Sequence, residues 1–188
     1  AFVLRYRLRP NYEPSVAVLD AQRAIRYVRY NAKTYNLDSG RIGILGFSAG
    51  GYLATESAIR YDTGNPKAID PIDCESSRPN FTAPIYPVID EELPNVVTRA
   101  SPPAFLVSTS EDLTSRIKSN LAFYEALLDN QVPAEMHVFG SGKHGSGLAP
   151  GDSSMGQWSM LLVNWLRTSS FLTDKQRIAV NGTVTING

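Results

Sequence analysis

The sequence predicts an α/β fold with a mostly parallel central sheet flanked by helices. Runs of strand length alternate with stretches of helical periodicity five times along the chain, an order typical of parallel sheets. The run at 41–47 is continuously apolar, as expected for a strand that helices cover on both faces. With 188 residues, the chain is long enough for one domain with a sizeable core.

The elements follow one another without an internal repeat. Apolar residues recur at helical spacing from 15 to 35, after a first strand predicted at 1–8. Further strands are predicted at 41–47, 81–89, 104–110 and 134–140, and further helices at 49–61, 115–130 and 154–166. Two β-type runs at 178–186 surround Asn181-Gly182, a strong hairpin signal. We therefore predict a core at 1–168 and a β-type tail at 169–188.

Composition argues against several classes of partner. Eighteen basic residues balance eighteen acidic ones, so neither a nucleic acid nor an anionic membrane is expected. Arg23, Arg26 and Arg29 recur every three residues, which we interpret as one solvated helix face. The single cysteine, Cys74, excludes an internal disulfide. No apolar run reaches transmembrane length and no signal peptide is visible, so the location, cytoplasmic or secreted, stays open.

The motif GFSAGG at 46–51 lies between a predicted strand and a predicted helix. G-x-S-x-G in this context is the nucleophile elbow, in which a sharp turn presents the serine at its tip. Ser48 is therefore the predicted nucleophile. The backbone N–H of Ala49 is the predicted oxyanion donor. The competing interpretation is a glycine-rich turn whose serine only caps the following helix.

A nucleophilic serine needs a base, and the chain has two histidines. His144 lies in a glycine-rich loop directly after the last core strand, where it can reach the serine. His137 lies within that strand, where a structural role is more common. The predicted base is therefore His144.

The carboxylate that orients the base should follow a strand and come between serine and histidine in the chain. Glu111-Asp112 follows the strand at 104–110. We choose Asp112, with Glu111 as the second candidate. Either acid could instead stabilise the start of the next helix. The order Ser–Asp–His at three successive strand ends favours a catalytic triad.

These stretches resemble the α/β-hydrolase superfamily, and more narrowly its small carboxylesterases and acetyl esterases, including bacterial acetylxylan esterases. The similar stretches are YRL (6–8), DAQRAIRYVR (20–29), RIGILGFSAGGYLA (41–54), IYPVID (85–90), PPAFLVSTSED (102–112), NLAFYEALLDNQVPAEMHVF (120–139) and GKHGSGL (142–148). The resemblance implies hydrolysis of short acyl esters, acetylated plant polysaccharides among them, with no metal or cofactor. It assigns the same roles to Ser48, Asp112 and His144.

Two other functions agree with the same residues. A serine peptidase of the prolyl-oligopeptidase type shares the GxSxGG elbow and the order of the triad. A truncated, catalytically weak hydrolase fold acting as a binding module is the non-enzymatic alternative.

The sequence departs from the family at its start, because it lacks the HGGG-type motif that supplies a second oxyanion donor. The family's strand before that motif lies between the YRL strand and the elbow strand. We therefore expect an N-terminally incomplete version of the fold. Either the first strand slides beside the elbow strand, or a second copy completes the sheet through the C-terminal hairpin. The second solution predicts a homodimer.

Overall fold

The computed structural model describes residues 1–172 and the backbone of residues 182–185. Strands and helices alternate in the order expected from the sequence. The strands are β1 (Phe2–Arg5), β2 (Gly43–Phe47), β3 (Phe81–Ile85), β4 (Ala104–Thr109), β5 (Ala134–Phe139) and β6 (Gly182–Thr185), and the helices are α1 (Pro14–Tyr30), α2 (Ala49–Ile59), α3 (Ile117–Asp129) and α4 (Trp158–Thr168). The first and third strands are shorter than predicted.

Every strand pair in the described residues is parallel. Four strands form one sheet in the order β2-β3-β4-β5, and β1 pairs separately with β6. The predicted α/β class with a parallel sheet and flanking helices is confirmed. Of the predicted hairpin, the second run forms β6, whereas residues 178–181 lie outside the described residues.

Strand β4 shows why this sheet needs a helix on each face. All six of its residues are buried. Phe105 packs with Trp165 of α4, their ring centroids 5.8 Å apart. Its neighbour Leu106 points to the other face and packs in a cluster with Phe123 of α3. The alternation follows from the two-residue repeat of a strand, and it places the core on both sides of β4.

Helix α1 confirms its predicted apolar face, where Ala21, Ile25 and Val28 are buried. The segment after β1 is tied to this helix by Asp20, which is also buried. Both the backbone N–H of Arg7, at 2.9 Å, and its guanidinium, at 2.6 Å, donate to the Asp20 carboxylate. A buried carboxylate requires such partners, so β1 is anchored to α1.

The interpretation of the three arginines of α1 as a solvated face is wrong. Arg23 forms ion pairs with Asp70 and Asp73. Arg26 pairs with Asp62, and its side chain is only 13% exposed. Arg29 donates to the backbone carbonyl of Arg78 at 2.7 Å. The loop between α2 and β3 folds over this face, and helical spacing alone carries no information about such a distant segment.

A cleft of about 910 Å³ separates β1 from β2. In the described part of the chain, β2 pairs only with β3, so the expectation that the first strand slides beside the elbow strand is wrong. The first strand pairs with β6 instead, and the segment after it is bound to α1 through Arg7 and Asp20. The cleft is mostly apolar, and its walls include Val3, Leu4, Ile25, Ile44 and Leu45.

The turn from β2 into α2 depends on close contact between two glycines. A Cβ atom added to Gly46 would lie 1.9 Å from the carbonyl oxygen of Gly50. A Cβ atom added to Gly50 itself would meet no atom within 4 Å. The first glycine of the motif is therefore required by the packing of the backbone, whereas the second is not.

We expect Gly46→Ala to destabilise the fold by roughly 1–3 kcal/mol, because backbone must move to admit the methyl group. Gly50→Ala is the matched control. It should leave stability unchanged or raise it by about 0.5 kcal/mol, since alanine favours helix. Urea unfolding of both variants measures the difference. Equal effects of the two substitutions would contradict this account.

Candidate active site

Ser48 lies at the tip of the turn between β2 and α2. Its backbone is strained, with φ 53° and ψ −113°, a region that residues other than glycine rarely adopt. Its N–H donates to the carbonyl of Ile85 at 3.0 Å, and its own carbonyl accepts from the N–H of Tyr52 at 2.9 Å. The side chain makes no capping hydrogen bond to α2. The interpretation of Ser48 as only a helix cap is therefore wrong.

His144 is in hydrogen-bond contact with Ser48. The Oγ of Ser48 lies 2.6 Å from Nε2 of His144, although 96 positions separate the two residues in the chain. The histidine belongs to the loop after β5, and its side chain is 25% exposed, so the pair can be reached from solvent. His137 lies on β5 and contacts Glu135 at 2.7 Å instead.

Asp112 completes the arrangement behind His144. Its Oδ2 lies 2.7 Å from Nδ1 of His144, and its side chain is 1% exposed. The same oxygen accepts from the hydroxyl of Ser115 at 2.9 Å. The other oxygen, Oδ1, accepts from the backbone N–H groups of Thr114 at 2.9 Å and Ser115 at 3.1 Å. Four hydrogen bonds therefore hold the carboxylate in one orientation.

The alternatives for the acidic residue do not reach the histidine. Glu111 is exposed, and its carboxylate accepts from the backbone N–H of Gly142 at 3.4 Å. Helix α3 begins only at Ile117, so Asp112 does not lie in its first turn. The structure thus brings together Ser48, His144 and Asp112, and leaves Glu111 and His137 outside.

The charge of Asp112 decides which nitrogen of His144 carries the proton. Burial opposes ionisation of this carboxyl group, but the hydrogen bonds from His144, Ser115 and Thr114 outweigh it and hold the pKa of Asp112 below its ordinary value. An ionised carboxylate only accepts hydrogen bonds. Nδ1 of His144 must then donate, which leaves Nε2 of the neutral ring free to accept the hydroxyl proton of Ser48.

Ala49 is the first residue of α2, where backbone N–H groups have no partner within the helix. The positive end of the helix dipole also lies at this point. Both features suit an oxyanion formed beside Ser48, so Ala49 stays the predicted donor.

Sequence reasoning missed Ser115. Its hydroxyl and its backbone N–H both bind Asp112. Aspartate side chains commonly accept from backbone N–H groups a few residues ahead, so part of this signal was present in the sequence.

The described residues contain no group of three or more His, Cys, Asp and Glu side chains that could hold a metal ion. Among the helices that the structure describes, none is long and apolar enough to cross a membrane.

Ionisation of Asp112 should make the free energy of unfolding depend on pH. Because its pKa is lowered in the folded state, its charge stabilises the fold above the ordinary carboxyl range, and this contribution is lost as the pH falls below about 4. Asp112→Asn should therefore destabilise the protein at pH 7, and by progressively less as the pH falls below about 4. Urea unfolding at several pH values measures this, with Asp129→Asn, at the exposed end of α3, as control. If wild type and Asp112→Asn differed in unfolding free energy by the same amount at every pH, the stabilising role given to the Asp112 charge would be contradicted.

Comparison with known proteins gives concordant results. The family model described as BD-FAE matches residues 1–93. The crystal structure of an acetyl ester-xyloside bifunctional hydrolase from Caldicellulosiruptor lactoaceticus superposes with a TM-score of 0.87 and is 36% identical; the match covers 90% of this chain and 71% of that one.

Two characterised relatives match at the level of sequence. Endo-1,4-beta-xylanase B of Butyrivibrio fibrisolvens is 31% identical over 74% of this chain. The acetylxylan esterase of Xylanibacter ruminicola is 27% identical over 89% of this chain. The matches span only 26% and 38% of those two proteins.

The solved relative and this chain are identical at 36% of the aligned positions, which span 71% of that relative. It also shares the parallel sheet and flanking helices described above. The chain belongs to the α/β-hydrolase superfamily, in the same family as that solved hydrolase.

Proposed function

We propose that this protein is a serine esterase that hydrolyses short-chain carboxylic esters through an acyl-enzyme. The observation that carries the proposal is the continuous chain of two short hydrogen bonds. It runs from the Ser48 hydroxyl through His144 to the Asp112 carboxylate, at 2.6 and 2.7 Å. A serine that only caps a helix or packs in a core has no need of a base that is itself oriented by a buried acid.

The chemistry follows from the proton positions. Ser48 Oγ attacks the ester carbonyl while its proton moves to Nε2 of His144, and the resulting imidazolium is stabilised by ionised Asp112. The oxyanion accepts from the N–H of Ala49. The proton on Nε2 then passes to the departing alcohol, which leaves the acyl group on Ser48. Water attacks this ester by the same route and restores the serine.

Acetyl esters of plant polysaccharide are the proposed substrates. The relatives named as an acetylxylan esterase and as an acetyl ester-xyloside hydrolase support this choice. The partial exposure of His144 also supports it, since an open site can admit an ester attached to a large carbohydrate.

Ser48→Ala should lower turnover of p-nitrophenyl acetate by roughly 10⁴-fold or more, because no other group replaces the nucleophile. The variant should also lose covalent labelling by an organophosphate. Ser153→Ala, an exposed serine before α4, is the control and should keep both properties.

Activity and labelling that survive in Ser48→Ala would overturn the esterase proposal. A parallel assay with peptide substrates tests the peptidase alternative, which predicts cleavage of peptide bonds, whereas an esterase leaves peptides intact. A folded protein with neither activity would favour the binding module.

We propose further that a second copy of the chain completes the sheet. The edge of β2 that faces the cleft has no strand beside it among the described residues. Val3 and Leu45, on opposite walls, are 68% and 43% exposed. Unpaired strand edges flanked by apolar side chains favour pairing with another extended segment. Within one chain, β6 of the C-terminal tail pairs with β1. The occupant we propose is the same tail of a partner copy, exchanged between the two chains.

A strand in this cleft would also bear on the reaction. Strand β2 runs directly into Ser48, so a strand paired alongside it would end close to the nucleophile. Its backbone N–H groups are then suited to supply the second oxyanion donor, whose loss typically costs about 100- to 1000-fold in rate.

Leu45→Lys should shift the protein from dimer to monomer and lower its turnover, because the charge would be buried against the added strand. Leu121→Lys is the matched control, since Leu121 is similarly exposed, at 46%, but lies on α3. Size-exclusion chromatography with light scattering measures the mass of each. A wild-type protein that is monomeric and fully active would overturn this second proposal without affecting the first.

A further inference from the structure

The loop that carries His144 is held from two sides at one residue, Gly147. The backbone N–H of Gly147 donates to the hydroxyl oxygen of Tyr86 at 2.8 Å. The indole N–H of Trp158 donates to the carbonyl of Gly147 at 3.0 Å. Both backbone polar groups of Gly147 are therefore bound by side chains from distant parts of the chain.

These two side chains are themselves rigidly placed. Tyr86 follows β3 directly and Trp158 opens α4, and each is only 2% exposed. Both rings pack on Phe47, with centroids 5.9 Å away for Tyr86 and 5.7 Å away for Trp158. Because Phe47 immediately precedes Ser48, the same pair of rings contacts the elbow strand and the histidine loop.

The loop needs such support because it is rich in glycine. Gly145 and Gly147 both have positive φ, at 81° and 59°, and an added Cβ at either would meet nothing within 4 Å. These glycines therefore contribute no side-chain packing that would hold the loop. Glycine also loses more conformational freedom than other residues when it is ordered. External anchors must then compensate for that loss.

Tyr86 is more than an anchor for the backbone. Its ring packs against the imidazole of His144, with centroids 5.2 Å apart and planes inclined by 64°. Its own backbone has φ 37°, a strained value for a bulky residue that persists only where the surroundings impose it. The backbone N–H of Tyr86 donates to the carbonyl of Val107 at 2.7 Å, and this hydrogen bond fixes the backbone from which the Tyr86 side chain extends.

We propose that Tyr86 and Trp158 are positioning residues that clamp Gly147 and thereby hold the His144 imidazole against Ser48. Trp158 acts through Gly147 alone, and Tyr86 acts through Gly147 and through the contact of its ring with the imidazole. The inference rests on the proposed triad, since it concerns how the base of that triad is oriented. It assigns a purpose to two buried polar aromatic groups that core packing alone would not require.

Tyr86→Phe and Trp158→Phe each remove one hydrogen bond and keep an aromatic ring. Each should lower kcat for p-nitrophenyl acetate roughly three- to tenfold, the effect of one hydrogen bond, and change KM less than twofold. Tyr124→Phe is the matched control, because Tyr124 is a partly buried tyrosine packed in the α3 cluster, away from the loop. It should leave both constants unchanged.

The imidazole signals of the two histidines provide a readout that does not depend on hydrolysis. In nuclear magnetic resonance spectra, the His144 signals should broaden or shift in Tyr86→Phe and in Trp158→Phe. The signals of His137, which lies on β5 and contacts Glu135, serve as an internal reference. Tyr124→Phe should leave the His144 signals as they are in the wild type.

An unchanged kcat together with unchanged His144 signals in both variants would overturn the clamp. So would equal broadening of His144 and His137, which indicates general loosening of the fold. Failure of the proposed function has a different signature. Ser48→Ala would then retain turnover, while the response of the His144 signals would still report whether the loop is clamped.

Discussion

The contact between Gly46 and Gly50 is the constraint on which the rest of the structure depends. The backbone of α2 approaches the end of β2 so closely that no side chain fits at Gly46. This approach forces Ser48 into a left-handed conformation, which places its hydroxyl at the tip of the turn instead of in the core. The strain is sustained because β2 is paired with β3 on one side and α2 is almost wholly buried on its inner face.

Parallel pairing then determines where the other two residues arrive. Strands β2, β4 and β5 point in the same direction, so the loops that follow them meet at one rim of the sheet. Ser48 and His144 are 96 positions apart, and His144 and Asp112 are 32 apart, yet both pairs are within hydrogen-bond distance. Four hydrogen bonds hold the buried Asp112 carboxylate, and through it the protein itself orients the His144 ring.

The opposite side of the molecule is organised by charge as well as by apolar packing. Arg7 binds the buried Asp20 and so keeps β1 against α1. On the same helix, Arg23, Arg26 and Arg29 bind the loop that joins α2 to β3. Only the contact between Arg7 and Asp20 involves the segment that follows β1. The cleft lies between β1 and β2, which belong to separate sheets in the described residues.

The sequence by itself determined the fold class and the order of the elements. It also predicted Ser48 and His144 and narrowed the acid to Asp112 or Glu111. Those features depend on local patterns: hydrophobic periodicity, the glycines of the elbow, and the type of residue that follows each strand. Only the tertiary structure decided that Asp112 and not Glu111 meets His144, that Ser115 supports it, and that Tyr86 and Trp158 converge on Gly147. It also decided that the arginines of α1 are paired and that β1 stands apart from β2. These outcomes depend on contacts between segments far apart in the chain. The hydrophobic periodicity of one segment does not specify which distant segment packs against it.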